Sequence, residues 1–199
     1  MRHPHEALVI LLGLTLVTGC ATPYGQGRAA LAQGRYEEAL TRFETLLARE
    51  PDRLDALVGV GLARFKLGAF DEAIDALGRA VAQAPGSGTA RLYLGLSHLR
   101  RGADGPAEEH LAAFLELKPN ERIARQVDRA LRLMRSEALS PDLRAFVAAS
   151  LDDAAEWERE VQRERAAAQA YATPAYYHPY GWYPFGRCYA ARHGRLVCF

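Results

Sequence analysis

The chain has 199 residues with 25 basic and 24 acidic side chains, and its formal net charge at pH 7 is +1. This near balance argues against a dedicated nucleic-acid-binding protein, which usually carries a clear basic excess. The length suffices for one domain with a sizeable core. The sequence has no nucleotide-binding glycine motif, no nucleophile elbow and no helical histidine pair at metal-ligand spacing. We therefore expect no enzyme, no metal site and no cofactor.

The first residues of the chain combine an apolar run with a small-residue motif. Residues 7–17 are too few to span a bilayer, which needs about 20 apolar residues, but they have the length of a signal-peptide core. The run ends in the sequence VTGC, which resembles the bacterial lipobox. The resemblance implies a signal peptide over residues 1–19 and a diacylglycerol on Cys20. The alternative is an ordinary secretory signal followed by a chance cysteine. Because Ala21 rather than aspartate follows, the resemblance favours an outer-membrane lipoprotein facing the periplasm.

Four series of residues recur every 34 positions. They are Gly27, Gly61 and Gly95; Gly34, Gly68 and Gly102; Ala39, Ala73 and Ala107; and Pro51, Pro85 and Pro119. The first and third series are small side chains, which two helices need where they approach closely. The second falls at the turn after a helix, where a left-handed backbone is common, and each proline stops a helix. This period and these residue types resemble the tetratricopeptide repeat, a helix-turn-helix unit.

The resemblance implies an all-α fold, a short α-solenoid of three repeats over residues 20–53, 54–87 and 88–119. It also implies that the protein acts by holding partner proteins rather than by catalysis. In this register the first repeat starts at Cys20, and Thr22 suits the N-cap of its first helix. Almost no linker therefore separates the expected lipid from the fold.

Two further helices are predicted after the repeats. Residues 120–136 form a helix that begins after Asn120 and caps the solenoid, and residues 141–170 form a longer one. Their apolar stripes are Ile123, Val127, Ala130, Leu131 and Met134 in the first, and Leu143, Phe146, Val147, Leu151, Ala154, Trp157 and Val161 in the second. The other face of the capping helix carries Arg122, Arg125, Arg129, Arg132 and Arg135. It is either a solvated or paired face, which is common for charge runs, or a patch for anionic lipid or glycan.

The resemblance places the partner-binding groove on the concave surface, which the first helix of each repeat lines. The positions are Tyr24, Arg28, Leu31, Val58, Leu62, Phe65, Lys66, Leu92, Leu96, Leu99 and Arg100. Val58 and Leu62 stand where some family members have polar groups that clamp a peptide carboxylate, so that clamp is absent. An apolar surface of this size needs cover. Either a partner segment or the chain's own helix 141–170 lies in it.

The last segment, residues 171–199, is rich in tyrosine, proline and glycine and lacks acidic side chains. We call it the tail. Its end predicts a small β-hairpin with a turn at 192–194, which sets Cys188 opposite Cys198 at a distance that suits a disulfide. The competing interpretation is a metal site that adds His178 and His193 to these cysteines.

Two functions follow from these features. The first is a lipid-anchored periplasmic scaffold that binds protein partners in its groove, in envelope or secretion-complex assembly. The second is an envelope protein associated with peptidoglycan or another glycan, which it binds through the aromatic side chains of the tail. In both functions the lipid at Cys20 attaches the protein to the membrane, and neither function involves nucleic acid.

Overall fold

The structure is a computed structural model that describes residues 22–136, 138–172, 188–191 and 195–198, with side chains for 22–136 and 138–169. The predicted signal peptide, the lipid site at Cys20 and most of the tail lie outside these residues, and stay predictions. Among the described residues, no helix combines the length and the apolar character that a bilayer crossing requires.

Six helices form the three predicted helix pairs. They are α1 (Pro23–Ala32) with α2 (Tyr36–Leu47), α3 (Leu54–Lys66) with α4 (Phe70–Gln83), and α5 (Gly88–Arg100) with α6 (Asp104–Glu116). The first helices of successive pairs contact one another, α1 with α3 and α3 with α5, so they share one face. Each second helix packs on the first helix of the next repeat, α2 on α3 and α4 on α5. This is the predicted all-α solenoid.

The turns and caps follow from the sequence. The glycines that end each first helix have a left-handed backbone, with φ of 73° at Gly34, 79° at Gly68 and 78° at Gly102. The hydroxyl of Thr22 accepts a hydrogen bond from the amide of Gly25 at 3.1 Å, so α1 starts at its predicted N-cap.

The capping helix and the long helix are α7 (Glu121–Ser136) and α8 (Pro141–Ala172). The side-chain oxygen of Asn120 accepts a hydrogen bond from the amide of Arg122 at 2.8 Å, as its predicted capping role requires. α7 packs on α6, and α8 packs on both α5 and α7. The apolar stripe predicted for α7 is buried or half-buried throughout.

The stripe predicted for α8 is wrong at two positions. Phe146 and Trp157 are 68% and 53% exposed, whereas Val147, Leu151 and Ala154 are buried as expected. The buried side also includes Ala148 and Ala155, so the contact surface of α8 is rotated toward its small residues.

Two short strands follow the helices, β1 (Cys188–Ala191) and β2 (Arg195–Cys198). They pair antiparallel, with Cys188 opposite Cys198 in the backbone register. The turn at 192–194 and the side chains of both strands lie outside the described residues. The hairpin as a folded unit, the disulfide and the alternative metal site with His178 and His193 therefore stay predictions.

Candidate interaction surface on the concave face

Nine of the eleven predicted groove residues fall into two groups, and the other two, Lys66 and Arg100, lie at the ends of α3 and α5. On α1 and α3, the side chains of Tyr24, Leu31, Val58 and Leu62 are half-buried, and Arg28 is exposed. The second group is buried inside the chain: it consists of Phe65, Leu92, Leu96 and Leu99. We call the surface formed by the first group the open half of the concave face, and the surface around the second group the covered half.

The cover of the second group is α8. Its side chains Val147, Leu151 and Ala155 belong to the same core cluster as Leu96 and Leu99 of α5. The chain's own helix therefore occupies the part of the groove that repeat three contributes. The concave surface of α1 and α3 keeps its partial exposure.

A polar cluster holds α8 against the repeats. Lys66, at the end of α3, forms ion pairs with Asp152 at 2.6 Å and with Glu156. The hydroxyl of Tyr93 donates a hydrogen bond to Asp152 at 2.7 Å and accepts one from Arg159 at 2.8 Å. Every buried polar group of this cluster thus has a partner, and these contacts offset the free-energy cost of burying it.

The pKa values reflect these contacts. Burial lowers the pKa of Lys66, but the hydrogen bonds and charges of Asp152 and Glu156 outweigh burial, so this pKa lies above its ordinary value. Burial also raises the pKa of the Tyr93 hydroxyl. Lys66 is therefore charged and Tyr93 neutral at physiological pH, and the cluster keeps its ion pairs.

A second ion pair fixes the start of α8. The guanidinium of Arg144 contacts both oxygens of Asp104, at 2.8 and 2.6 Å. The hydrogen bond from Arg144 lowers the pKa of Asp104. Asp104 stands where the other repeats have Tyr36 and Phe70. The departure of repeat three from the aromatic pattern thus supplies the acidic partner for Arg144.

Phe65 does not line an open groove. Its ring packs edge-on against Phe70, with centroids 5.8 Å apart, and against Tyr93 at 5.2 Å. It is 7% exposed. Phe65 therefore fills the joint between the second and third repeats.

The open half offers apolar side chains with a cation beside them. The ring of Tyr24 packs against Phe43 at 5.8 Å, and the guanidinium groups of Arg28 and Arg53 lie 5.9 Å from its centroid. Arg100, the last predicted groove residue, stacks on Phe70 at 4.6 Å and is exposed. The open half can bury apolar side chains of a partner, and Arg28 can pair with an anion.

The arginine face of α7 is mostly paired or stacked. Arg125 pairs with Glu121 and Arg132 with Asp128 on the same helix, and Arg135 pairs with Glu108 of α6. Arg122 stacks over Trp157 of α8 at 5.1 Å. These contacts favour a solvated, paired face over an anion-binding patch. The carboxylates in these pairs belong to α6 and α7.

Within residues 22–136 and 138–169, no group of three or more histidine, cysteine, aspartate or glutamate side chains is arranged to hold a metal ion. His98 and His110 stack at 5.5 Å between α5 and α6. Burial lowers the pKa of both imidazoles, which keeps them neutral at physiological pH. This pair therefore belongs to the packing of repeat three.

Comparisons with known proteins agree with the fold. A family model described as tetratricopeptide repeat matches residues 24–88 and 61–122. The type III secretion translocator chaperone SycD of Yersinia enterocolitica is 19% identical, with a TM-score of 0.55 over 64% of this chain and 90% of that one. A type III secretion complex from Aeromonas hydrophila is 19% identical, with a TM-score of 0.55 over 66% of this chain and 95% of that one.

A third similar structure is a mutant O-GlcNAc transferase from Thermobaculum terrenum. It is 22% identical, with a TM-score of 0.52, and the match covers 76% of this chain but 27% of the transferase. At these identities the likeness concerns the fold alone. The search of curated proteins found no match to this chain.

Proposed function

Residues 24–122 belong to the tetratricopeptide repeat family, and on this premise we propose that the protein is a scaffold that binds a partner protein on the open half of its concave face. The observation that supports the proposal is that one half of the concave face is covered and the other half is accessible. α8 covers α5, while Leu31, Val58 and Leu62 on α1 and α3 keep accessible surface. Half-exposed apolar side chains beside an arginine suit an apolar partner segment that carries an acid.

The proposal includes an anchor. A lipid on Cys20 would hold the protein at the outer membrane, on the periplasmic side, as the lipobox-like motif VTGC indicates. α1 begins at Pro23, and three residues of chain reach at most about 10 Å. The open half of the concave face would therefore lie close to the membrane surface, and a partner bound there would be held beside it.

The process we propose is the assembly of an envelope or secretion complex. Two of the similar structures are a translocator chaperone and a complex of type III secretion systems. A partner of this class is proposed by analogy with these two proteins, whose likeness to this chain is one of fold. The proposed role is non-catalytic, which agrees with a surface built from apolar side chains and arginine.

The test is photo-crosslinking in the native envelope from a probe residue that replaces Leu31. We expect Arg28→Glu and Leu62→Glu each to lower the yield of the crosslinked partner about tenfold, through charge reversal and through a buried carboxylate. Leu117→Glu is the matched control, because Leu117 is exposed at the end of α6, on a second helix. Folded variants with an undiminished yield would rule out the open half.

The anchor is tested separately. Cys20→Ala should abolish labelling by a radioactive fatty acid and leave an unlipidated precursor that keeps residues 1–19. The crosslink to the partner should weaken but persist, because the concave face is unchanged. Labelling that survives in this variant would remove the lipid from the proposal and leave the scaffold intact.

A further inference from the structure

A second surface flanks the contact between α8 and α7. Phe146 and Trp157, the two large apolar side chains that α8 exposes, are eleven positions apart. Eleven residues are about three helical turns, so both rings lie on one side of the helix, about 16 Å apart. Large aromatic side chains that are exposed on one side of a helix are typical of binding sites.

A cleft of about 290 Å³ opens beside Phe146, between α7 and α8. We call it the outer cleft. Its lining is Gln126, Arg129, Ala130 and Leu133 from α7, and Phe146, Val147, Ser150 and Leu151 from α8. Most of these side chains are apolar, so the cleft can take one large apolar side chain from outside.

The charges around the outer cleft distinguish it from the rest of the arginine face. Three arginines of α7 are neutralised by carboxylates, namely Arg125, Arg132 and Arg135. The other two are the ones beside the cleft and the exposed rings. Among the described residues, Arg129 has no hydrogen bond or ion pair, and Arg122 has only the stacking of its guanidinium on Trp157.

The acidic side chains on the same side of α8 are Asp142, Asp153, Glu160 and Glu164, and none of them lines the outer cleft. All four are exposed, Glu160 pairs with Arg163, and none of them pairs with Arg122 or Arg129 within the part of the chain that the structure describes. The two arginines therefore keep their charge available at the rim of an apolar cleft. Cations of this kind favour a ligand with carboxylates next to an apolar group.

We propose that the outer cleft binds a short acidic segment of a partner protein, in which one large apolar side chain is flanked by carboxylates. The apolar side chain enters the cleft against Phe146 and Leu133. A carboxylate on one side pairs with Arg129, and one on the other side reaches Arg122 above Trp157. This surface is separate from the concave face, so a partner here leaves the open half of the groove free.

The experiment uses the full chain and two fluorescein-labelled hexapeptides. One has alanine-phenylalanine flanked on each side by two glutamates, and the other has lysines in place of the glutamates. Fluorescence anisotropy should show the acidic peptide binding at least about tenfold more tightly than the basic one, with the difference shrinking as salt is raised. Equal affinities, or no binding of the acidic peptide below about 1 mM, would overturn the proposal.

Variants locate the site. Arg129→Glu and Phe146→Ala should each raise the Kd of the acidic peptide about tenfold, while Arg132→Glu, the same charge change one turn away at a paired arginine, should leave it within about twofold. Phe146 and Arg129 are exposed, so circular dichroism should show all three variants folded. Equal losses in Arg129→Glu and Arg132→Glu would mean unspecific attraction and contradict the cleft.

Two other occupants are distinguished in the same series. Binding of phosphatidylglycerol vesicles that both arginine variants weaken equally would assign the arginine face to lipid instead. Acidic-peptide binding that is lost in Leu62→Glu and kept in Phe146→Ala would place the peptide on the concave face. Either result would overturn the outer cleft as the site while leaving the concave scaffold function to be judged by its own crosslinking test.

Discussion

At the scale of single residues, glycines decide how closely the two helices of each repeat approach. A methyl group added at Gly27 would lie 2.8 Å from the ring of Phe43. At Gly61 it would lie 2.6 Å from Leu77 Cδ2, and at Gly95 2.9 Å from Leu111 Cγ. All three distances are shorter than carbon atoms tolerate. These glycines thus recur every 34 residues because the same close contact between two helices recurs in each repeat.

Gly61→Ala should lower the free energy of unfolding by about 2 kcal/mol. The added methyl group must displace Leu77, which is fully buried, and overpacking outweighs the better helix propensity of alanine. The matched control is Gly78→Ala in α4, where no atom lies within 4 Å of the added carbon. That variant should gain about 0.5–1 kcal/mol.

Urea denaturation followed by circular dichroism measures both changes. If Gly61→Ala gains stability as Gly78→Ala does, the close approach of α3 and α4 is not what the glycine serves.

The same scale shows why the helix pairs could be predicted, whereas the sequence left two candidates for the cover of the groove, a partner segment and the chain's own helix. Turn glycines and the alanine series act locally or between neighbouring helices, so their period reveals them. The burial of Leu96 and Leu99 depends on where α8 docks, some 50 residues later in the chain. Asp104 was visible as a departure from the aromatic pattern, but its partner Arg144 lies 40 positions away and no local rule connects them.

At the scale of elements, small side chains determine which side of α8 is buried. The stripe predicted from large apolar residues includes Phe146 and Trp157, yet the helix contacts α5 and α7 through Ala148, Ala154 and Ala155 as well as Val147 and Leu151. Alanine lets a helix approach its neighbours closely, and an aromatic ring on the contact side would hold it away. Hydrophobic periodicity gives large apolar side chains more weight than alanines. The buried face that it predicts for α8 is therefore rotated toward Phe146 and Trp157.

Leu151→Ala and Phe146→Ala separate these two faces. Leu151 is 2% exposed, so its truncation should leave a cavity and cost about 2–4 kcal/mol of unfolding free energy. Phe146 is 68% exposed, so its truncation should change stability by no more than about 0.5 kcal/mol. Equal costs, measured by urea denaturation, would mean that the stripe predicted from the sequence describes α8 better than the rotated face does.

At the scale of the whole molecule, α8 closes one end of the solenoid and leaves the other half of the concave face accessible. A solenoid needs a terminal element because its last repeat otherwise exposes a core surface. α7 covers α6, and the first part of α8 covers α5 and α7. The later part, residues 162–169, is exposed along its whole length. The helix therefore serves as a cap at its start and extends past the repeats at its end.

Two truncations test this division of α8. A chain that ends at residue 161 keeps the ion pairs of Lys66 with Asp152 and Glu156 and loses side chains that are exposed, so its unfolding free energy should stay within about 1 kcal/mol of the full chain. A chain that ends at residue 140 uncovers Leu96 and Leu99. Uncovering several fully buried side chains costs about 1.5–3 kcal/mol each, which is enough to unfold a marginally stable domain.

Urea denaturation and binding of a hydrophobic dye measure both truncated chains against the full chain. The chain ending at 140 should bind the dye strongly and lose its cooperative transition, whereas the chain ending at 161 should do neither. If the shorter chain instead unfolds cooperatively at the urea concentration of the full chain, α8 contributes nothing to the core. The covered half would then be a second binding groove that the chain's own helix fills reversibly. When α8 leaves it, Tyr93 and Lys66 would be free to bind another helix. That helix would carry two carboxylates four positions apart, as Asp152 and Glu156 are.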